Sequence, residues 1–327
     1  MIMKKLLILF ILLVSLTEIR AQLFPTLGEQ RAGISTADFL KIGVGSRATA
    51  LGDAFIAISD DASALYWNPA GLAQFDRDQV IFSHNQWVVD INHDFIGAVY
   101  HLDGENSFGV ALTSLSTDDM PVTTELAPTG TGEYFSYKDQ ALAITYSRRM
   151  TDKFSFGGTV RYIEETLANL KMRGFMIDLG TYYWTGLGTT RFAVTVSNFG
   201  NQLAPDGKVV LIGKRENSEW QAFSPPTIFR IGFAFEPYQD ETHRFTTSIQ
   251  LNHPNDNSEN ICAGLEYSWK KIILLRGGYK FSSDEQNYSA GFGVYLPIRI
   301  AECSVDYSYS NFKRLGNSQR FSIILGF

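Results

Sequence analysis

The sequence predicts an all-β fold: a transmembrane antiparallel β-barrel of about 14 strands with an N-terminal hatch segment in the lumen. Three observations carry this expectation. From Gln79 onward, apolar and polar residues alternate in runs near the ~10 residues that a tilted membrane strand requires. The connections between these runs alternate between tight turns and longer loops, as in a barrel whose two ends both face the periplasm. The final residues set Phe321, Ile323, Leu325 and Phe327 on one strand face that stops at an aromatic, a pattern suited to a lipid-facing seam.

Residues 1–21 come first. Lys4 and Lys5 precede the apolar run Leu6 to Leu16, and Ala21 follows a short polar stretch, which is the layout of a secretory signal removed after Ala21. The run is too short to span a bilayer as a helix, which takes about 20 residues. Residues 22–78 lack a strand pattern and are rich in small side chains, which let backbone pack closely inside a narrow lumen. Within them, Asn68-Pro69 predicts the stop of a short helix opened by Ser59 or Asp60.

Residues 79–327 hold the strands. The alternation places them at Gln79–Asp90, His93–Asp103, Asn106–Thr117, Asp139–Met150, Lys153–Glu165, Arg173–Trp184 and Thr190–Gly200. Seven more follow at Thr227–Pro237, His243–His253, Glu259–Trp269, Lys271–Phe281, Tyr288–Pro297, Arg299–Ser310 and Ser318–Phe327. The odd connections include the long Asp118–Lys138 and Asn201–Pro226, with Thr166–Met172, Ser282–Asn287 and Asn311–Asn317. The even ones are tight, at Gly104-Glu105, Thr151-Asp152, Thr185–Thr189, Lys270 and Ile298.

Charge placement decides between lipid and water outside the sheet. Phe229, Ile231, Phe233 and Phe235 oppose Arg230 and Glu236, and Phe154, Phe156, Val160 and Tyr162 oppose Arg161. A basic residue on a lipid face at mid-bilayer costs roughly 2–4 kcal/mol, and these strands avoid it. A soluble sandwich shows similar alternation, but it has no need of loop parity or a terminal aromatic. Aromatics make up 13% of the chain and mean hydropathy is −0.06, without a long apolar run after residue 16. Such a chain crosses lipid only as a closed barrel, because lipid cannot satisfy open backbone edges. The net charge of −6 argues against nucleic acid as a partner, since there is no basic excess to neutralise phosphates. Cys262 and Cys303 fall on opposite strand faces, which a disulfide cannot bridge.

The candidate chemistry is sparse. Asp60-Asp61 reads as metal ligands, as an acid pair, or as the carboxylates favoured at a helix start. Arg47 and Asp53 are candidates for an ion pair inside the lumen, or for two solvated groups. His84, His93 and His101 lie in the first two strands without a cage-like or helical zinc spacing. Gly130-Thr131-Gly132 and Gly186-Leu187-Gly188 read as loop and turn rather than phosphate cradles. No nucleophile elbow or usable Cys/His pair is visible, so a non-enzymatic protein without cofactor or metal is expected. Apolar clusters in the long connections, Met120, Tyr134-Phe135, Leu211-Ile212 and Trp220, read as a partner surface or as a cover over the barrel mouth.

Phe39-Leu40, Gly43, Gly45, Arg47-Ala48, Leu51-Gly52-Asp53-Ala54, Asp60-Asp61-Ala62 and Trp67-Asn68-Pro69-Ala70-Gly71-Leu72 together resemble the FadL-like outer-membrane barrels, most closely the PorV/PorQ branch associated with type IX secretion. The resemblance implies a 14-strand barrel with a lumenal hatch in the bacterial outer membrane, surrounded by outer-membrane lipid. PorV/PorQ members imply type IX secretion proteins or secreted cargo as partners, and a role in secretion or cell-surface attachment. FadL-type members imply the alternative, transport of long-chain fatty acids or other hydrophobic small molecules. The expected lumen face carries Arg161, Asp178, Arg230, Arg244, Glu266, Glu302, Asp306 and Arg320, which favours a hydrated, cross-linked interior over an acyl tunnel.

Overall fold

The computed structural model describes residues 33–327, apart from 211–215, 218–219, 284–285 and 298–300. The expected signal, Leu211, Ile212 and the connection at Ile298 lie outside the described residues. No helix among the described residues is long and apolar enough to cross a membrane.

Fourteen strands close into one antiparallel barrel in sequence order. They are β1 Gln79–Gln86, β2 Asn92–His101, β3 Asn106–Ser116, β4 Tyr137–Arg149, β5 Phe154–Leu167, β6 Leu170–Trp184 and β7 Arg191–Gly200. The rest are β8 Ile228–Gln239, β9 His243–Pro254, β10 Asn260–Trp269, β11 Ile273–Phe281, β12 Tyr288–Pro297, β13 Glu302–Asn311 and β14 Asn317–Gly326. The seam pairs β1 with β14 from Gln79↔Gly326 to Gln86↔Gln319, so no strand edge is left open to lipid. Phe321, Ile323, Leu325 and Phe327 face outward, with Phe327 64% exposed, while Arg320, Ser322 and Ile324 are buried within. Tyr307 and Phe321 pack at a tilt on the outer face, 4.9 Å between ring centroids.

Three boundaries depart from the alternation. β1 stops at Gln86 instead of running to Asp90, because Val89 adopts φ 57° in a tight 3-10 turn that reverses the chain. The expected Thr166–Met172 loop is a two-residue hairpin: β5 and β6 stay paired to Leu167↔Leu170, held by Arg173 on Glu164 at 2.7 Å. Near the short-turn end of β8 the pairing with β9 slips between Phe235 and Tyr238, where Pro237 has no N–H to give the ladder.

Residues 33–78 thread the barrel. They start at the long-loop end, where Ser35 bridges Ser224 and Lys41 meets Asp256 at 2.9 Å. They finish at the short-turn end, where Phe327 donates to the Asp78 carbonyl at 2.9 Å. The described chain therefore begins and ends at opposite mouths. Along the way are a 3-10 turn Asp38–Lys41, α1 Ser46–Ala50, α2 Ala64–Trp67 and a 3-10 turn Pro69–Gln74. Leu51, Phe55, Ile56, Leu65 and Leu72 are fully buried against inward-facing wall residues. Phe39 and Leu40 form a second cluster with Leu115, Ile163 and Met176 near the long-loop end. Each large side chain buried this way contributes about 1.5–3 kcal/mol, so apolar burial holds the segment in place.

Candidate functional site

The segment touches every one of the 14 strands. From β1 to β7 the contacts are Gln79 on the Ala62 N–H, Leu65 against Gly97 and Gly109, Arg149 on the Ala73 carbonyl, Pro69 against Gly157, Asn68 against Gly180 and Arg191 on the Ala57 carbonyl. From β8 to β14 they are Ile56 against Gly232, Gln250 on the Phe55 N–H, Arg47 on Glu266, Gly52 against Gly278, Ala50 against Gly291, Thr49 on Ser308 and Ser46 on Ser322. Glycine makes the fit possible. A Cβ on Gly278 would stand 2.1 Å from the Leu51 carbonyl carbon and the Gly52 nitrogen, and one on Gly157 would stand 2.4 Å from the Pro69 carbonyl carbon. Gly52 itself sits at φ 64°, left-handed backbone that glycine adopts without strain.

Arg47 is the electrostatic centre of the segment. Its guanidinium bonds Asp60, Asp61 at 2.9 Å and Glu266 of β10 at 2.9 and 3.1 Å. The expected pair with Asp53 is not formed. Asp53 lies in a left-handed turn after α1, which aims it at Lys280 of β11, 2.6 Å away. Asp60 and Asp61 do not open a helix either: α2 begins at Ala64 behind Ser63, and Asp61 accepts the Ser63 N–H at 2.9 Å. The two carboxylates are held as the counter-charge of Arg47.

Trp67 to Gly71 fix the turn between α2 and the barrel wall. The Trp67 indole N–H donates to the Val44 carbonyl at 2.8 Å, and its ring meets Phe55 and Tyr66 edge-on. Asn68 ends α2 as expected: its Oδ1 accepts the Ala70 N–H at 3.1 Å, and its Nδ2 donates to the Ile56 and Thr181 carbonyls. Pro69 opens the following 3-10 turn, where its missing N–H costs nothing. Ala70 is fully buried, and Gly71 must lack a side chain, since a Cβ there would stand 2.4 Å from the Ser59 carbonyl oxygen.

The wall supplies further ion pairs: Arg161 with Asp178 at 2.7 Å, Arg191 with Glu236 at 2.8 Å, and Arg276 with Glu266 at 2.7 Å and with Asp306. All are buried. Such pairs repay their desolvation only when fully hydrogen-bonded, and each of these joins one wall strand to another rather than to the segment. A charged cavity of about 490 Å³ opens beneath Arg47 toward the short-turn end, lined by Asp60, Arg244, Arg276 and Asp306.

The remaining expected residues scatter. His84 pairs with Asp94, His101 with Asp78 and the Leu72 carbonyl, and His93 is buried apart from both. No group of three or more metal-ligating side chains occurs among the described residues. Gly130, Gly132, Gly186 and Gly188 lie in connections with positive φ. Cys262 is buried in the lumen and Cys303 lies on the outer face, both as free thiols. In the long connection after β3, Met120 and Tyr134-Phe135 form a small hairpin, with Tyr134 66% exposed. Trp220 folds onto its own connection instead, its indole N–H donating to the Gly207 carbonyl at 2.9 Å. Sequence reasoning missed the inward glycines. Their signal was present as glycine recurring on the polar face of strand after strand, at Gly97, Gly109, Gly157, Gly180, Gly232, Gly264, Gly278 and Gly291.

Comparison with known proteins gives a family and a fold. Residues 26–254 match the family model described as type IX secretion system protein PorV. No curated protein matches the chain. Among solved structures, the Ralstonia pickettii toluene transporter TbuX is 12% identical, with a TM-score of 0.57 over 87% of this chain and 97% of that one. A Pseudomonas aeruginosa FadL homologue is 11% identical, with a TM-score of 0.57 over 88% and 98%. The P. putida toluene transporter TodX is 14% identical, with a TM-score of 0.56 over 87% and 96%. At these identities the likeness is one of fold.

Proposed function

Because the chain belongs to the PorV family of type IX secretion proteins, we propose that it is a non-enzymatic outer-membrane component of that secretion or surface-attachment machinery, acting through protein contacts at its long-loop mouth. The observation that carries the reading is the filled lumen. A segment in contact with all 14 strands leaves the barrel as a plugged platform, and the work is done at its rim. On this reading Arg47, Asp53, Asp60, Asp61 and Trp67 to Gly71 act as the clasp of the hatch. Met120, Tyr134, Phe135, Leu211, Ile212 and Trp220 belong to the connections that meet secretion proteins or cargo. The long-loop end faces outward and Phe327 faces the periplasm.

The second reading is transport of a hydrophobic small molecule. The FadL-like fold favours it; the paired charges of the lumen oppose it. Purification in mild detergent followed by mass spectrometry separates the two. Co-isolated secretion proteins are the expected result, and a stoichiometric bound lipid with no protein partner would overturn the proposal.

A further inference from the structure

Inward carboxylates in this barrel are matched with arginine: Asp178, Glu236, Glu266 and Asp306 each hold a guanidinium. Asp139 of β4 is different. Its relative exposure is 0%, and no donor reaches either carboxylate oxygen in hydrogen-bond geometry. The groups that act on it are the Tyr137 hydroxyl and the Glu165 carboxylate. Its ladder neighbours, Leu115 on β3 and Glu165 on β5, bring no positive charge. Glu165 is itself occupied by the Thr36 hydroxyl and the Ala37 N–H, and Lys41 is turned to Asp38 and Asp256. The Tyr137 hydroxyl is the donor that acts on Asp139, and a buried carboxylate with no cation beside it is costly unless it is neutralised or a cation is supplied.

Asp139 lines a cavity of about 410 Å³ at the long-loop mouth, in the ~300–1,000 Å³ range of small-molecule sites. The lining also holds Lys41 and Lys280, but each of these answers an acid of the same lining, Asp38 and Asp53, which leaves the apolar wall, Asp139 and Arg320 to define a ligand. Phe39, Trp87, Leu115 and Phe312 make an apolar sleeve, with Trp87 and Phe312 edge-on at 4.6 Å across its rim. Asp139 stands in that sleeve beside a second acid. Across the cavity, four strands away around the wall, Arg320 has an unpartnered Nε and makes no ion pair among the described residues.

We propose that this mouth cavity binds a long-chain compound with a cationic, hydrogen-bond-donating head, of the alkylamine class, whose ammonium is taken by Asp139 while its chain lies along Trp87, Leu115 and Phe312. The site is independent of the secretion role: its failure leaves that reading untouched, and loss of secretion partners would leave this site intact.

The test is calorimetric titration of the processed protein in nanodiscs with decylamine, against decanoate as the matched anion and empty nanodiscs as the partition control. Saturable 1:1 binding of decylamine is expected, weakened at least about tenfold in Asp139→Asn by loss of the charge. Leu115→Trp fills the sleeve while leaving Asp139 in place, and it should abolish binding. A mobility shift between boiled and unboiled samples checks that each variant folds. If Asp139→Asn does not fold, retained binding in Leu115→Trp overturns the proposal by itself. It is equally overturned by heat no greater than that of empty nanodiscs, by an unchanged affinity in Asp139→Asn, or by tighter binding of decanoate, which would assign the cavity to Arg320.

Discussion

Asn68 shows how one side chain can hold two elements. Its amide satisfies three backbone groups, the Ala70 N–H and the Ile56 and Thr181 carbonyls, in a place where water cannot replace it. Truncation to alanine leaves them unpaired, so Asn68→Ala should loosen the segment by about 1–3 kcal/mol. Limited trypsin digestion of folded protein would report this as faster cleavage at Arg47, and an unchanged rate would refute it. Glu266 anchors the same segment by charge. It serves both Arg47 and Arg276, and breaking a buried pair costs roughly 3–5 kcal/mol. Since Asp60, Asp61 and Asp306 remain as partners, Glu266→Gln should fall at the lower end of that range in urea unfolding. Arg47→Ala should then add less in the Glu266→Gln background than alone, because the two groups share one network; full additivity would mean that they are not coupled.

At the scale of elements, the wall strands and the segment are shaped for one another by absence of side chains. The strands were legible because a period of two is a local property: Phe229, Phe233 and Phe235 against Arg230 announce both the strand and its lipid face. The exit of β1 at Val89 and the tight hairpin after Leu167 were not legible, since each depends on a backbone angle or a cross-strand pairing that residue type does not specify. The clasp was half legible. Trp67 to Gly71 declared a turn, but Arg47 passes over nearby Asp53 for Asp60 and Asp61 and for Glu266 on β10, more than two hundred residues away, a choice that spacing alone does not specify. Gly278→Val tests the fit between the elements. The new side chain would need the space of Leu51 and Gly52, so the segment must leave while strand pairing on β10 and β12 stays intact. The expected outcome is a barrel that keeps its heat-dependent gel mobility but loses residues before Asp78 to protease. Retained protection would show that the wall yields instead.

For the whole molecule, closure of the wall and filling of the lumen are separable. Every strand has two hydrogen-bonded neighbours within the sheet, so the wall needs no segment to complete its ladders. The lumen is another matter. Eight-stranded barrels are filled by their own side chains and 16–18-stranded ones enclose a channel; with 14 strands and glycine facing inward, this wall is too wide to fill itself. Removing residues 34–74 should therefore leave a closed barrel with an open, charged bore. Arg161–Asp178, Arg191–Glu236 and Arg276–Asp306 would persist in that bore, because both partners of each pair belong to the wall. In planar bilayers the intact protein should show no steady conductance and the deletion variant a large, weakly ion-selective one, since the lining charges are nearly balanced. Equal conductance in both would mean that the segment does not seal the barrel, and with that the proposed role as a plugged platform would fail.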